Sequence, residues 1–252
     1  MLDISKLQNA VLSVDFGLAR QLLDDAGWEI PLLPDDASSL RAACIASEVA
    51  DYFGDYKRAK SVLTPYIEAC DKAFQNVGSR SKLQDASDQN TRLLKQKVWA
   101  VLHRGFTYYR EGRFGDAMGD FSRCREFVQE QLVDNKKNPC FGTLARISYA
   151  MGLVHRQCYR YEDAKREFTQ CISLSWQHLE HVALSPDQST DFRPITAFHV
   201  AKALALGLSW IRATEGHPRS AKPLIEAARV MLATTKADIC RFSAWPLRNR
   251  TH

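Results

Sequence analysis

Two stretches of this chain use the same residue spacing. YREGRFGDAMGDFSRC spans 109–124 and HRQCYRYEDAKREFTQC spans 155–171. Gly105, Phe114, Ala117, Phe121 and Cys124 return 47 residues later as Gly152, Tyr161, Ala164, Phe168 and Cys171. Residues three, four and seven apart share one face of an α-helix, so the pattern describes a helix face and not a strand. Two looser copies hold the same frame: Ser47, Gly54, Tyr56, Ala59 and Leu63, then Ser209, Gly216, Ala221, Ile225 and Ala228. Phe16, Ala19, Leu23 and Ala26 make a partial copy at the start. A spacing kept through a chain of 252 residues predicts stacked units, each too small to bury its own apolar face.

The frame resembles the tetratricopeptide repeat (TPR), whose signature is W-x2-L-G-x2-Y, then A-x3-F, then P. Gly105 and Tyr108 with Ala117-x3-Phe121 carry the resemblance in one unit, and Met151-Gly152 with Ala164-x3-Phe168 in the next. It implies an all-α, right-handed α-solenoid of four to five antiparallel helix pairs. The expected organisation is a helix pair over 1–36, units over 38–77, 92–133, 143–183 and 195–235, and an irregular tail over 236–252. A small residue on the first helix lets the backbones approach, and the Phe of the second helix fills the space. The chain departs from the family at the Trp position, held by Ala43, Val101, Ser148 and Ala205, and at the closing Pro, held by Asp71, Gln129, Trp176 and Ala233. Its period is 47 to 58 residues, against about 34 in the family. Without the Pro stop, the second helices are expected to run for about 18–23 residues, with polar connectors at 78–90, 134–142 and 185–194. Pro218 and Pro223 suit the start of the last helix, whereas Pro65 is expected to kink or split its own.

In TPR arrays the first helices line the concave side. Positions six and three before the small residue, and one, four and five after it, are then expected to face a groove. The projected partner-binding residues are Arg41, Trp99, Leu102, Phe106, Tyr109, Arg110, Arg146, Tyr149, Arg156 and Trp210. Aromatics and arginine are the types enriched at binding hot spots. The expected ligand is a protein or peptide with apolar anchors and some acidic character. The family's clamp for chaperone C-termini would need Lys, Asn and Arg where Cys44, Glu48, His103, Arg146 and Ala150 stand, and only Arg146 fits.

Catalysis finds no support. HLEH (178–181) is not a zinc-protease motif, no strand precedes GRFGDAMG and no Lys-Ser/Thr follows it, and G-x-S-x-G is missing. No metal or cofactor is implied, and the chain reads as a scaffold and not an enzyme. A net charge of +5 and the basic, aromatic CRFSAWPLRNRTH leave nucleic acid as the alternative partner, although no recognised nucleic-acid module occurs. Seven cysteines without a C-x-x-C indicate a reducing, cytoplasmic setting. No apolar run approaches the length of a membrane span. The tail after Asp238 leaves the last pair poorly covered, so self-association through that end is expected, as is a role as the sensor segment of a larger signalling protein.

Overall fold

The computed structural model describes residues 2–13, 15–30, 37–78, 84–131, 140–183 and 203–234. Every regular element among them is helical. In order these are α1 (Ile4–Leu12), α2 (Phe16–Asp25), α3 (Ala37–Tyr52), α4 (Tyr56–Gly78), α5 (Gln84–Glu111), α6 (Phe114–Gln131), α7 (Phe141–Gln157) and α8 (Tyr161–Ala183). A π-helical segment, Ala203–Leu208, leads directly into α9 (Ser209–Thr214), and α10 (Pro218–Thr234) follows. Consecutive helices pack as pairs, and the pairs stack into a TPR-like solenoid. The tail 236–252 and the connector 185–194 lie outside the described residues.

The packing follows the repeated frame. A Cβ placed on Gly105 would sit 2.5 Å from the Phe121 ring, and one on Gly152 would sit 2.7 Å from the Phe168 ring. Both rings are wholly buried. Phe168 is also tight against Gly207 in the next unit, at 2.7 Å by the same construction. Cys124 and Cys171 are buried as well, and the Cys124 thiol donates to the Val98 carbonyl at 3.4 Å. These cysteines belong to the packing.

Each pair from α3 onward turns at the seventh residue after the small one. Gly54, Gly112 and Gly216 have φ of 78°, 83° and 82° there. In each case the left-handed residue and its successor return hydrogen bonds to the last helical carbonyls, as Gly112 does to Tyr109 and Arg113 to Tyr108. Tyr159 takes this place in the third unit, with φ of 58° and the same two bonds. Left-handed backbone costs a non-glycine residue about 1–2 kcal/mol.

Adjacent units are also joined by charge at equivalent places. Lys60, next after Ala59, pairs with Glu111 at 2.5 Å, and Lys165, next after Ala164, pairs with Glu215 at 2.6 Å. Met118 and Cys158 stand at those places in the middle seam and pack against its apolar cluster instead. Arg125 adds a bidentate grip on Glu167, with Nη1 donating to Oε1 at 2.9 Å.

Two expectations about the elements change. The polar stretch 84–90 is helical, because α5 begins at Gln84; no Gly or Pro interrupts it. α4 is one element through Pro65. Pro65 is solvent-exposed and so is Ser61, whose carbonyl loses its helical donor there, and water can satisfy that group. The second helices α4, α6 and α8 run 23, 18 and 23 residues, and the last, α10, runs 17. α10 opens on Pro218 as its first residue and tolerates Pro223 beside exposed neighbours.

Candidate partner-binding groove

The accessible part of the first-helix face is set by angle around each helix. At about 100° per residue, the position three before the small residue lies about 60° from the packed side. Positions six before, one after and five after lie about 100–140° away. Burial follows this geometry in part, since Leu153 (one after Gly152) and Ala203 (six before Ser209) are buried at outward positions. Cys44, Leu102 and Tyr149 stand three before Ser47, Gly105 and Gly152, and all three are buried. Leu102 and Tyr149 therefore belong to the core. Tyr149 packs near the Phe168 ring at 6.0 Å, and burial pushes its hydroxyl pKa up. The outward positions carry Trp99 and Arg146 (six before), Phe106 and Trp210 (one after) and Arg110 and Gln157 (five after). Arg41 occupies the six-before position on α3, and its side chain lies outside the described residues.

At the centre, Arg146 of α7 crosses to α5. Its guanidinium carbon lies 4.4 Å above the Trp99 ring and 5.9 Å from the Phe106 ring. Phe106 in turn meets the Phe121 edge at 5.3 Å, so the stack rests on the core. Trp99 keeps 37% of its surface exposed. Burial holds the Arg146 pKa below the usual arginine value, with Glu48 and Cys44 acting against it and Arg110 with it. Among the described residues no carboxylate lies within ion-pair distance of Arg146.

Arg110 is committed differently. It pairs with Asp51 of α3, whose carboxylate also accepts from the Thr107 hydroxyl at 3.1 Å. Burial raises the Asp51 pKa, and Arg110 and Thr107 oppose that rise. His103 stacks on Trp99 at 6.0 Å, with Nδ1 at 3.6 Å from Glu48 Oε1. Burial, then the charges of Arg146 and Arg110, hold His103 well below the ordinary histidine pKa. It is therefore neutral at pH 7, and the positive charge at the centre comes from the arginines.

Toward the C-terminal pairs, the Tyr109 hydroxyl accepts from Gln157 Nε2 at 3.2 Å, and its ring lies 5.8 Å from Phe114. Arg156 lies 5.0 Å over the Trp210 ring. The structure thus brings Trp99, Phe106 and Arg146 into one cluster, and Arg156 and Trp210 into another. It adds a feature that the groove projection missed: Trp210 continues to Tyr161 at 6.1 Å, and Tyr161 to Tyr159 at 6.3 Å. The signal was present in the sequence, since Tyr159 stands where three other turns have glycine.

His178 of the HLEH stretch lies against Gly142, and the side chain of His181 is outside the described residues. No cluster of His, Cys, Asp or Glu among the described residues is placed to hold a metal ion. No helix among them is long and apolar enough to cross a membrane.

The packing of Gly105 and Gly152 against their phenylalanines holds stacked antiparallel helix pairs, a TPR-like helical fold. Among solved structures it is similar to a Podosopora anserina protein described as a kinesin light chain with nearly identical TPR-like repeats. The identity is 12%, 92% of each chain is covered and the TM-score is 0.45. BtubC (BKLC) from P. vanneervenii is similar to the same extent: 12% identity, 92% of each chain and a TM-score of 0.45. No protein-family profile matches the sequence, and no curated protein does.

Proposed function

We propose that the chain is a protein-interaction scaffold that holds a peptide or partner segment along its first-helix face. The observation that carries this reading is the Arg146 guanidinium laid over Trp99 and Phe106 with no carboxylate in ion-pair distance among the described residues. A cation held on aromatic faces is already positioned, so an incoming acidic group meets a charge that needs little further ordering. Trp99 and Phe106 supply apolar contact beside it. The helix pairs that hold the cluster are locked by buried Phe121 and Phe168, which gives the face a rigid backing. The ligand class that fits is a segment with an aromatic or aliphatic anchor next to an acidic residue. As a finer reading, such a face suits the sensor segment of a larger signalling protein, as the TPR resemblance implies.

The test is peptide display against the immobilised chain, followed by affinity measurement on Trp99→Ala and Arg146→Gln. Both residues lie outside the wholly buried core, so both variants should keep the wild-type helicity. Each should weaken a selected peptide about tenfold, the scale of one hot-spot contact. Unchanged affinity in both variants would remove the groove from the account.

A further inference from the structure

We propose that the segment held along the first-helix face is an amphipathic α-helix of the partner, with two apolar anchors seven residues apart and an acidic residue midway between them. The proposal rests on the groove reading above and adds the ligand's conformation and spacing.

Three observations lead to it. The first is the polar inventory of the face. An extended peptide turns main-chain N–H and C=O groups toward the surface that binds it, and each one buried without a partner costs affinity. Strand edges, or side chains that both donate and accept, hold such ligands. Every regular element among the described residues is helical, so no strand edge is offered there. Among the described side chains of α3, α5, α7 and α9, the carboxamides are Gln96 and Gln157. Gln157 already donates from Nε2 to the Tyr109 hydroxyl at 3.2 Å. Gln96 is buried with both amide atoms, two turns before His103 on the side of α5 that meets Glu48 of α3. The hydroxyls of Thr107 and Thr214 donate to Asp51 and to the Trp210 carbonyl. A helical ligand satisfies its own main chain and asks only for side-chain contacts.

The second is spacing. Trp99 and Phe106 stand seven residues apart on one face of α5, about 10 Å along its axis. Residues i and i+7 of a second helix laid along α5 advance by the same distance. A β-extended chain covers that distance in about three residues, which turns its second anchor to the opposite face. A polyproline II chain keeps the face at this spacing, but its main chain would go unpaired as described above.

The third is the position of the charge. The Arg146 guanidinium lies 4.4 Å from the Trp99 ring and 5.9 Å from the Phe106 ring, so it sits between the two anchor points. The ligand must then present a carboxylate midway between its anchors and on the same side. In a helix, residues i+3 and i+4 stand there. In a polyproline II chain the two residues between the anchors point about 120° away. Arg110, beyond Phe106 on α5, is paired with Asp51, so the acidic contact centres on Arg146.

The test uses three fluorescein-labelled peptides and fluorescence anisotropy against the full chain at low ionic strength. (Leu-Ala-Ala-Glu-Ala-Lys-Ala)3 is a helix former with leucine at i and i+7 and glutamate at i+3. (Leu-Ala-Pro-Glu-Ala-Lys-Ala)3 keeps the anchors and charges but is barred from the helix. (Leu-Ala-Ala-Lys-Ala-Glu-Ala)3 is helical with the charges exchanged. The first should bind saturably, about tenfold tighter than either of the others, and about tenfold weaker in Trp99→Ala and in Arg146→Gln. Equal or tighter binding of the proline peptide, lost in Trp99→Ala, would overturn the helical ligand and leave the groove reading standing. Equal binding of the charge-exchanged peptide would overturn the placing of the acidic residue. If none of the three binds while a display-selected peptide still depends on Trp99 and Arg146, the helix alone is overturned. Binding of the first peptide that both variants leave unchanged would overturn the groove and the helical ligand together.

Discussion

Replacing Gly105 by Ala tests the packing frame from inside. On an unconstrained helix this change stabilises by about 1 kcal/mol, since Gly is the poorer helix former. Here the new methyl would lie 2.5, 2.9 and 3.2 Å from three carbons of the Phe121 ring. That ring is wholly buried, and its neighbours leave it little room to retreat. Overpacking of this kind costs about 1–3 kcal/mol, and backbone-to-ring contact at such distances belongs near the upper end. Subtracting the propensity gain leaves a net loss of about 2 kcal/mol, or about 4–8 °C in melting temperature for a chain of this size. Gly119 provides the control. It lies inside α6, and a Cβ there meets nothing within 4 Å, so Gly119→Ala should gain about 1 kcal/mol. The assay is thermal and urea unfolding followed by circular dichroism. Adding Phe121→Leu to Gly105→Ala should recover part of the loss, because the two residues share one space. If Gly105→Ala stabilises as much as Gly119→Ala, the helices do not approach as described and the repeat reading fails.

Other outcomes follow from burial and charge. Maleimide labelling of the native chain at neutral pH should modify half-buried Cys140 and Cys158 before Cys44, Cys124 and Cys171, which are buried; burial pushes the Cys171 thiol up to about 12. His103 stays neutral in the fold while its unfolded form takes a proton near the ordinary value of 6.5. Its contribution to stability is thus present above 6.5 and is lost as pH falls toward its depressed folded value. His155 is shifted in the same direction, so His103→Gln should flatten, but not abolish, the loss of stability in urea titrations below pH 6.5. Lys60→Ala and Lys165→Ala each remove a half-buried inter-unit pair. Each should cost about 1 kcal/mol in urea unfolding, most of it insensitive to salt up to 0.5 M.

The helix pairs were legible because close packing constrains residue type. Only glycine fits at Gly105 and Gly152 beside a phenylalanine, and the 47-residue offset repeats that requirement. The start of α5 was not legible, because 84–90 is polar without a breaker, and such a stretch extends a helix as readily as it forms a loop. The continuity of α4 through Pro65 was not legible, because sequence alone does not tell which side of α4 faces water. The groove was half legible. The projected first-helix face included the position three before the small residue on its open side. Leu102 and Tyr149 show that about 60° of rotation still lies within the packed arc. The cation–π stack depends on a distance between helices of different units, which no spacing along the chain encodes. The rim aromatics needed comparison of turns, where Tyr159 replaces glycine.

The central claim is that partners bind along the first helices. Hydrogen–deuterium exchange of the full chain, with and without a peptide selected by display, tests it most directly. Added protection is expected in α5 and α7 around Trp99, Phe106 and Arg146, with α6 and α8 unchanged on their outer faces. Protection confined to α6 and α8, with α5 and α7 unaffected, would contradict it.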